Sequence, residues 1–409
     1  EARPEPLALQ QTAEEVVPGE ILIKMKDGAP VSELTARIPG LRLERRLVAR
    51  SGISVLRVAS GQERAEAARL ASDPNVEYAH PNYIRRINAI DPRLWAFYNP
   101  GGLFARFNTS PFNPLPVGYN SLTDADIDMV EGSGAGGSPV VIGSLDTGAD
   151  TDHPELVGKL ILGWDWANGD ALPEDDNGHG THTIGTMVGT TVGVAGVSGA
   201  GTNVQVHVQK VCTGAGSCPT SNIVNAIYAA ADYPGMVAMN LSLGGSTITT
   251  AEVNAINYAV NTKGVLVIAA SGNNGSGVVA CPACNVNSIS VGATNWRDVK
   301  TAYSQYGSGL DIVAPGGELY SNTTQEMGIW SAYVGGGYAY LQGTSMATPH
   351  VTGTAGVVAS KTGLTGAALR NRLLSTADDK GPIGYDTSYG NGRLNFYRAL
   401  TLTTLPYPL

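Results

Sequence analysis

The sequence predicts an α/β fold, a parallel β-sheet flanked by helices, preceded by a small α+β domain. After about residue 138, continuous apolar runs of strand length alternate with stretches of helical character. Buried runs that alternate with helices are typical of a parallel sheet covered on both faces. The runs are PVVIGSLDTG, VQVHVQKV, MVAMNLSL, GVLVIAAS and SISVGAT, and two of the helical stretches are SNIVNAIYAAADYP and AEVNAINYAVNTK.

The small domain is predicted for residues 1–88, where charged side chains are dense and nearly balanced, whereas the rest of the chain is acidic and sparse in charge. Its pattern of strand, helix, two strands, helix and strand is the order of the split βαβ motif. We expect a second domain over residues 122–409. Residues 89–121, rich in Pro, Gly, Asn and aromatic side chains, are expected to form an irregular strap pinned to a domain surface.

Composition excludes several classes of protein. Of 409 residues, 43% are hydrophobic, 15% are charged and 52 are glycine, which indicates a turn-rich globular protein. The chain lacks the run of ~18 apolar residues that marks a membrane-spanning helix, so no membrane partner is expected. The net charge of −9 argues against nucleic acid as a partner.

The four cysteines fall in two close pairs, Cys212 with Cys218 and Cys281 with Cys284. Several pairings are formally open, and two local disulfides are the expected one. Such bridges favour an oxidising, extracellular compartment. A redox motif in CPAC and a zinc ribbon are the alternatives, but no thioredoxin-like pattern surrounds CPAC and the spacings do not match a ribbon.

Four side chains of complementary chemistry follow predicted strands or begin predicted helices. Asp146 ends one apolar run and Asn273 follows another, whereas His179 and Ser345 each stand at a helix start. Because ligands gather at the carboxyl edge of a parallel sheet, we expect these side chains to meet there. A serine hydroxyl needs a base, and His179 serves if Asp146 fixes its tautomer. The Ser345 N–H and the Asn273 amide would then stabilise an oxyanion.

The order Asp, His, Ser within LDTG, NGHGTH, ASGN and GTSMATPH resembles the subtilisin-like serine proteases, or subtilases, across about residues 122–400. The resemblance implies a serine endopeptidase with Asp146, His179 and Ser345 as its triad, Asn273 in its oxyanion hole and no cofactor for its chemistry. A serine esterase of the α/β-hydrolase type should show GxSxG and the order Ser, Asp, His, and both are absent. The four intact residues argue against a catalytically silent binding protein.

The resemblance also assigns the walls of a substrate cleft. Segment TGAGSC, residues 213–218, would be an edge strand that pairs with the substrate backbone. Because nothing ionic lines the assigned segments, we expect a large apolar side chain before the cleaved bond, with Ala280 at the pocket floor. The expected contact residues are Gly216, Ser217, Ser242, Leu243, Gly244, Ala269, Ala270, Ser271 and Gly272.

The leader resembles the inhibitory propeptide of the same family, most clearly at DPNVEYAHPNY. Its tail would lie in the cleft as a product, and self-cleavage would fall within residues 84–90, with Asn88 before the bond. An independent binding module is the alternative. We therefore expect a secreted, monomeric zymogen that acts on proteins and peptides and is inhibited by its own propeptide. Similar secreted enzymes extend the expected substrates to fibrous proteins such as keratin.

Structural calcium is the metal that the resemblance implies. Asp311, with the backbone carbonyls of Val286 and Ser288, matches the position of a cation site of the family, and an aspartate capping a turn is the alternative. The loop after HGTHTIGTMVG is short and lacks the asparagine-rich insertion that forms the strong site in some relatives.

Other polar residues near the motifs have less specific expected roles. His182 is expected to be a core or supporting histidine rather than a metal ligand, because no carboxylate cluster accompanies it. His350 lies five residues after Ser345 and is expected on a different face of the helix. Asp150 and Asp152 are expected to be turn residues. Residues 174–176, the sequence EDD, are expected to form a solvated loop, with a hard cation as the alternative.

Overall fold

The computed structural model describes residues 16–26, 29–46, 53–83, 95–96, 126–129, 134–190, 194, 196–199, 201–319 and 327–403. The chain divides into two compact units, Glu1–Ala89 and Ile90–Leu409. The expected strap, residues 89–121, is described only at Trp95 and Ala96, and the expected cleavage region, residues 84–90, lies outside the described residues. Among the described helices, none combines the length and the apolar character that a bilayer crossing requires.

In its described part, the first unit combines an antiparallel sheet with two helices. Its elements are β1 (Val16–Met25), α1 (Val31–Arg37), β2 (Arg42–Arg46), β3 (Ile53–Arg57), α2 (Glu63–Ala71) and β4 (Val76–Tyr83). The four strands lie in the order β2-β3-β1-β4, as the split βαβ pattern predicts. Alternation along β1 turns Ile21 and Ile23 into one apolar core, where they join Leu34 of α1 and Leu70 of α2.

The second unit is built on a parallel sheet. Its strands are β5 (Gly136–Asp146), β6 (Leu160–Asp165), β7 (Thr202–Lys210), β8 (Met236–Leu241), β9 (Leu266–Ala270), β10 (Ser288–Thr294) and β11 (Ile312–Pro315). All seven pair in parallel, in the order β11-β10-β9-β8-β5-β7-β6. The five predicted runs form β5 and β7 to β10. Every residue of β8, β9 and β10 is buried, as expected for strands covered on both faces.

Helices cover both faces of this sheet. They are α3 (His179–Val188), α4 (Thr220–Asp232), α5 (Thr250–Asn257, continued by a π-helical turn over Tyr258–Thr262), α6 (Thr344–Thr362), α7 (Gly366–Ser375) and α8 (Phe396–Thr401). An antiparallel hairpin, β12 (Ile329–Tyr333) and β13 (Gly337–Leu341), packs beside α3. Neighbouring residues of β5 face opposite sides, so Ile142 joins the core with α3 and α6, whereas Val141 joins the core with α4 and α5.

Helix α6 is deeply buried, with all of residues 346–360 buried. Its small side chains let the helix lie close to the sheet. A Cβ on Gly356 would lie 3.0 Å from Cγ1 of Val204 and 3.1 Å from Cγ2 of Ile142. This close packing fixes the amino-terminal end of α6 at the carboxyl edge of the sheet.

Candidate active site

Strand β5 ends at Asp146, whose carboxylate is buried at the carboxyl edge of the sheet. Its Oδ1 accepts hydrogen bonds from the Thr147 N–H at 2.7 Å and from Nδ1 of His179 at 2.7 Å. Its Oδ2 accepts a longer bond, 3.4 Å, from the Thr183 hydroxyl. These bonds satisfy the buried carboxylate and hold it directly beside the imidazole.

Helix α3 begins at His179, so the imidazole projects from the first turn. Donation from Nδ1 to Asp146 leaves Nε2 as the unprotonated nitrogen of the neutral ring. Burial disfavours the charged ring, but the charge of Asp146 and the hydrogen bond to it outweigh burial and raise the pKa of His179 above its ordinary value. The close approach of helix and strand requires Gly180, because a Cβ there would lie 2.2 Å from the Gly148 carbonyl oxygen.

Residues 174–176 are only in part the solvated loop that the sequence predicted, because Asp176 is exposed but Asp175 is not. Asp175 is buried, and its Oδ1 accepts hydrogen bonds from the Thr147 hydroxyl at 2.8 Å and the Gly178 N–H at 2.9 Å. Its Oδ2 accepts from the N–H and the hydroxyl of Thr181, at 2.8 and 2.6 Å. Burial raises the pKa of this carboxyl, but these hydrogen bonds have the larger effect, so its pKa lies below the ordinary value. Asp175 therefore stays ionised and holds the start of α3 against the end of β5.

Asp176 forms an ion pair with Lys210, the last residue of β7. The Lys210 side chain is fully buried, and its ammonium also donates to the Thr147 carbonyl oxygen at 2.7 Å. Removing the anion from such a pair leaves an uncompensated buried charge, which is strongly destabilising. Sequence reasoning missed both Asp175 and this pair. The available signal was a lysine that ends an apolar run in a charge-poor region.

Ser345 is the second residue of α6, and it is bonded twice to the segment that follows β8. The Ser345 hydroxyl donates to the Ser242 carbonyl oxygen at 3.1 Å, and the Ser242 hydroxyl donates to the Ser345 carbonyl oxygen at 2.8 Å. That carbonyl lacks its usual helical donor because Pro349, four residues later, has no N–H. In the described structure no hydrogen bond joins the Ser345 hydroxyl to His179. The hydroxyl is instead hydrogen-bonded to the Ser242 carbonyl oxygen.

Asn273 lies in the turn after β9, beside the start of α6. Its Oδ1 accepts hydrogen bonds from the N–H and the hydroxyl of Thr344, at 2.8 and 2.9 Å. This orientation leaves Nδ2 free for another acceptor, on the side of Gly343, whose φ of 147° favours glycine. The first N–H groups of a helix have no acceptor within it, and the Ser345 N–H is among them. The helix start therefore offers two neighbouring donors for an oxyanion.

Two hollows border these side chains. One, of about 490 Å³, lies at Asn273 and Ser345, and the other, of about 420 Å³, lies at Asp146 and His179. Leu243 and Gly244 line both. The predicted contact residues that line at least one hollow are Gly216, Ser242, Leu243, Gly244, Ala270 and Gly272.

Two predicted contact residues of β9 and the turn after it do not line either hollow. Ala269 and Ser271 are fully buried, and the Ser271 hydroxyl donates to the Gln305 carbonyl oxygen at 3.0 Å. The physical reason is the alternation of an extended chain, which sends Ala270 to the cleft and both of its neighbours into the protein.

Ala280 lines the larger hollow between two glycines. Cβ atoms added to Gly244 and Gly272 would lie 3.3 and 2.9 Å from its own Cβ. Gln305, which sequence reasoning missed, also lines this hollow, and its Nε2 donates to the Val278 carbonyl oxygen at 2.6 Å. Gly272 has a φ of 105°, and a Cβ there would lie 1.9 Å from Oε1 of Gln305 as well as against Ala280, so the wall favours glycine there.

Segment TGAGSC, predicted to be an edge strand, is a turn. A disulfide between Cys212 and Cys218 brings their Cα atoms to 4.1 Å, which leaves no room for an extended segment between them. Inside the loop the Gly216 N–H donates to the Thr213 carbonyl oxygen at 2.8 Å. Ser217, another predicted contact residue, is exposed and lines neither hollow.

The second disulfide joins Cys281 and Cys284, so the local pairing predicted from the spacing is the pairing found. Cys281 also exchanges two backbone hydrogen bonds with Gly245, each of 2.8 Å. Both disulfides border the smaller hollow. Each therefore cross-links a segment that lines this hollow.

The predicted calcium position is taken by an arginine. Nη2 of Arg370 donates to Oδ1 of Asp311 at 2.8 Å, and Nη1 donates to the Ser288 carbonyl oxygen at 2.8 Å. Oδ2 of Asp311 accepts from the Ser290 N–H at 2.9 Å, and Val286 is 86% exposed. The guanidinium thus bonds to two of the three groups that the resemblance assigned to a cation, Asp311 and the Ser288 carbonyl, and calcium at these residues stays a prediction. No cluster of three or more potential metal ligands occurs in the described part of the chain.

The loop after α3 is held by a carboxylate. Glu155 is buried, and its two oxygens accept hydrogen bonds from the Thr190 N–H at 3.0 Å and the Val194 N–H at 3.1 Å. At its described residues Thr190 and Val194, the loop thus presents N–H donors to this carboxylate.

The remaining histidines of the motifs are fully buried. Nε2 of His182 faces the carbonyl oxygens of Ile329 and Ala339 at 3.0 and 3.2 Å, and Nδ1 of His350 faces the Met346 carbonyl oxygen at 2.8 Å. Burial lowers the pKa of His182 to about 3 and that of His350 to about 4. Both rings are therefore neutral and pack in the protein interior.

The two aspartates after β5 lie in a turn. Oδ2 of Asp150 accepts a hydrogen bond at 3.0 Å from the Gly336 N–H, in the loop of the β12–β13 hairpin. A hydrogen bond and charge repulsion from Asp150, then burial, raise the pKa of Asp152. The turn therefore anchors the hairpin that packs on α3.

Comparison with known proteins gives a consistent result for both units. Residues 137–392 match the subtilase family, and residues 3–82 match the fervidolysin N-terminal prodomain. The chain is 37% identical to a thermophilic serine proteinase of Bacillus sp. (strain AK1), over 86% of this chain and 79% of that protein. It is 38% identical to thermitase of Thermoactinomyces vulgaris, over 67% of this chain and 91% of that protein.

Solved structures show the same architecture. A cold-adapted subtilisin-like serine proteinase superposes with a TM-score of 0.55 at 30% identity, covering 75% of this chain and 97% of that one. A lanthipeptide protease superposes with a TM-score of 0.58 at 26% identity, covering 66% of this chain and 89% of that one. The family match covers more than half of the chain and includes the Asp, His, Asn and Ser motifs. The chain therefore belongs to the subtilase family and is a serine protease with an N-terminal prodomain.

Proposed function

We propose that the chain is a secreted serine endopeptidase in which Asp146, His179 and Ser345 perform catalysis and Asn273 stabilises the oxyanion. The observation that carries this proposal is the 2.7 Å hydrogen bond from Nδ1 of His179 to the buried Asp146. It supplies a neutral base with a defined free nitrogen beside one hollow, and Leu243 and Gly244 of that hollow also line the hollow that Ser345 and Asn273 border.

The reaction begins when the Ser345 hydroxyl turns from the Ser242 carbonyl to Nε2 of His179. The hydroxyl gives its proton to that nitrogen as Oγ attacks the peptide carbonyl carbon, and Asp146 stabilises the imidazolium. The oxyanion accepts hydrogen bonds from Nδ2 of Asn273 and the Ser345 N–H. His179 then gives the proton to the leaving amine. A water molecule, deprotonated by the same ring, hydrolyses the acyl ester and regenerates the serine.

The larger hollow is the proposed pocket for the residue before the cleaved bond. Its lining is dominated by backbone, small residues and the apolar side chains of Leu243, Val278 and Val279, and it includes no charged side chain. An apolar side chain therefore gains burial there without meeting an unpaired charge. Broad specificity follows, because no ion pair selects one residue, and we extend the substrates to fibrous proteins such as keratin. Release of soluble peptides from keratin and from casein, compared by mass spectrometry, tests both statements.

We further propose that the enzyme is a monomer, made as a zymogen whose first unit inhibits the second before cleavage within residues 84–90, after Asn88. Support comes from the prodomain match over residues 3–82. Secretion is supported by the two disulfides, which persist in oxidising compartments. Recovery of the enzyme from the culture medium and sequencing of its mature N-terminus test both proposals.

The decisive experiment is labelling with a fluorophosphonate, which reacts with an activated serine hydroxyl. We expect one adduct, on Ser345, in the processed enzyme and none in the Ser345→Ala variant. Ser217→Ala is the matched control, because it removes an exposed serine outside the hollows and should keep the adduct. An unlabelled processed protein would leave a catalytically silent binding protein as the better proposal. Ser345→Ala should also stay unprocessed while remaining folded, and normal maturation of that variant would contradict self-processing.

A further inference from the structure

Five oxygen atoms surround the ammonium group of Lys159, just before β6 and therefore at the amino edge of the sheet, opposite the catalytic residues. We call this group of oxygens the Lys159 cradle. They are the carbonyl oxygens of Ser198 at 3.3 Å, Gly199 at 2.9 Å, Thr202 at 3.1 Å and Val204 at 3.3 Å, and the Thr202 hydroxyl at 3.1 Å. The side chain is almost completely buried.

An ammonium group has three N–H donors, so five oxygens are more than it can bond one to one. Their convergence on one point resembles the way proteins surround a cation rather than the way they satisfy a lysine. Four carbonyl dipoles turned to one centre make a site of strongly negative potential without any carboxylate. Burial lowers the pKa of Lys159 to about 8, and the ammonium is therefore still charged near neutral pH.

The distances indicate which class of ion fits the Lys159 cradle. Calcium binds oxygens at about 2.3–2.6 Å and magnesium at about 2.0–2.1 Å, mostly with carboxylates among the ligands. The cradle holds its oxygens 2.9–3.3 Å from the central atom and has no carboxylate. Such a site suits a large monovalent cation, ammonium above all, with potassium as the metal of comparable ligand type.

The Lys159 cradle is also held together by contacts that do not involve Lys159. The Thr202 hydroxyl donates to the Ser198 carbonyl oxygen at 2.7 Å and lies 3.0 Å from that of Gly199. The Ser198 hydroxyl donates to the Gly353 carbonyl oxygen in α6 at 2.7 Å. Because these bonds anchor the loop to the central helix, the oxygens should keep their arrangement when the lysine side chain is removed.

We propose that Ser198, Gly199, Thr202 and Val204 form a monovalent-cation site whose permanent occupant is the tethered ammonium of Lys159. A free ammonium or potassium ion binds the same oxygens once that side chain is truncated. The site stabilises the loop between α3 and β7 and takes no part in catalysis, so this inference does not depend on the proposed function.

The test compares thermal unfolding of the full chain and two variants, all carrying Ser345→Ala to prevent self-digestion. Lys159→Ala opens the cradle, whereas Lys159→Met fills the same volume with a neutral side chain. Each protein is measured near pH 6.5 in ammonium chloride, potassium chloride and choline chloride at equal ionic strength. We expect ammonium to raise the midpoint of Lys159→Ala by several degrees over choline, saturably with concentration. The parent and Lys159→Met should not distinguish the salts.

The proposal is overturned if Lys159→Ala has the same midpoint in ammonium and choline, or if the parent or Lys159→Met responds as strongly. If Lys159→Ala does not fold in choline, its yield on dilution from denaturant is compared between the two salts. Recovery in ammonium alone supports the site, and recovery in neither salt overturns it.

Discussion

Asn273 uses the two atoms of its amide for different tasks, and a pair of substitutions separates them. Oδ1 holds the start of α6 through Thr344, whereas Nδ2 is the proposed oxyanion donor. Asn273→Asp keeps the acceptor and removes the donor. We expect kcat to fall by about 10²–10³-fold or more with little change in KM, because one such donor is worth that much in enzymes of this family. The thermal midpoint should stay close to that of the parent.

Asn273→Ala is the comparison, since it removes both atoms. It should lose a similar factor in kcat and should also lower the thermal midpoint, because the N–H and hydroxyl of Thr344 lose their acceptor. Steady-state kinetics on a peptide substrate and thermal unfolding give both readouts. A kcat of Asn273→Asp within tenfold of the parent would remove Asn273 from the oxyanion site.

We expect Ala280 to set the depth of the proposed pocket, because it lies between Gly244 and Gly272. Ala280→Leu adds side-chain volume to the floor without adding charge. We expect kcat/KM for peptides with a large apolar residue before the cleaved bond to fall about 10–200-fold relative to peptides with alanine there, the range typical of pocket fit. Peptide series that differ only at this residue measure the ratio. An unchanged ratio would place the specificity pocket elsewhere.

The strands and motifs that are marked by adjacent residues could be predicted from the sequence. The contacts between residues far apart in the chain could not. The five apolar runs form strands, because a run of adjacent apolar residues is itself the signal of a buried strand. The Asp, His, Asn and Ser motifs lie at one edge of the sheet, because the ends of its parallel strands can be recognised from the adjacent sequence. The contacts that the sequence did not predict join residues far apart in the chain. Asp311 pairs with Arg370, and residues 174–176 depend on Lys210 and Thr181, so no local pattern distinguishes them from turn residues.

The edge strand predicted over residues 213–218 failed for a different reason. Its sequence is short and rich in glycine, so its strand character came from the resemblance alone. The Cys212–Cys218 bridge sets its conformation. Gln305 was missed because its role arises from contact with Gly272, in a separate turn.

Trp95 is an element-scale anchor that follows the expected cleavage region. It is 1% exposed and packs in a cluster with Trp296, Ile329 and Met346, the neighbour of the nucleophile, and its Nε1 donates to the Gly328 carbonyl oxygen at 3.0 Å. We expect Trp95→Ala to lower the free energy of unfolding by about 3–5 kcal/mol, the usual cost of emptying such a site.

The matched control is Trp95→Phe, which keeps most of the packing and loses the N–H donor. Its loss should be smaller, about 1–3 kcal/mol, because one buried carbonyl is left without this donor. Urea denaturation in the Ser345→Ala background measures both. Equal stability of the parent and Trp95→Ala would mean that the cluster does not depend on this segment.

Over the whole molecule, buried cationic groups lie against oxygen atoms from distant parts of the chain. Lys159 faces four carbonyls, Lys210 faces Asp176 and a carbonyl, and Arg393 faces Asp298 and Asp378. The chain is sparse in charge and acidic, with a net charge of −9. Each of these buried cations is therefore compensated by the oxygen atoms next to it rather than by the net negative charge of the chain. Removing one partner should lower the free energy of unfolding by more than breaking a surface ion pair would.

The buried histidines give the molecule a predictable response to acid. Burial lowers the pKa of His182 to about 3 and those of His207 and His350 to about 4, whereas the ordinary value is about 6.5. Below pH 6.5 the unfolded chain therefore binds more protons than the folded chain, so stability falls as the pH is lowered toward 4. The raised pKa of His179 acts with the opposite sign and in a different window, above pH 6.5.

Urea denaturation of the Ser345→Ala chain between pH 5 and 6.5 should show this loss, since most carboxyls titrate at lower pH. Each buried histidine contributes a slope approaching about 1.4 kcal/mol per pH unit. His207→Phe should remove about a third of the slope due to the three rings. It should stay folded, because a phenyl ring keeps the stacking on Tyr233, whose ring centroid lies 4.2 Å from that of His207. If the slope of His207→Phe equals that of its parent, His207 titrates alike in the folded and unfolded chains, and its burial does not control the response.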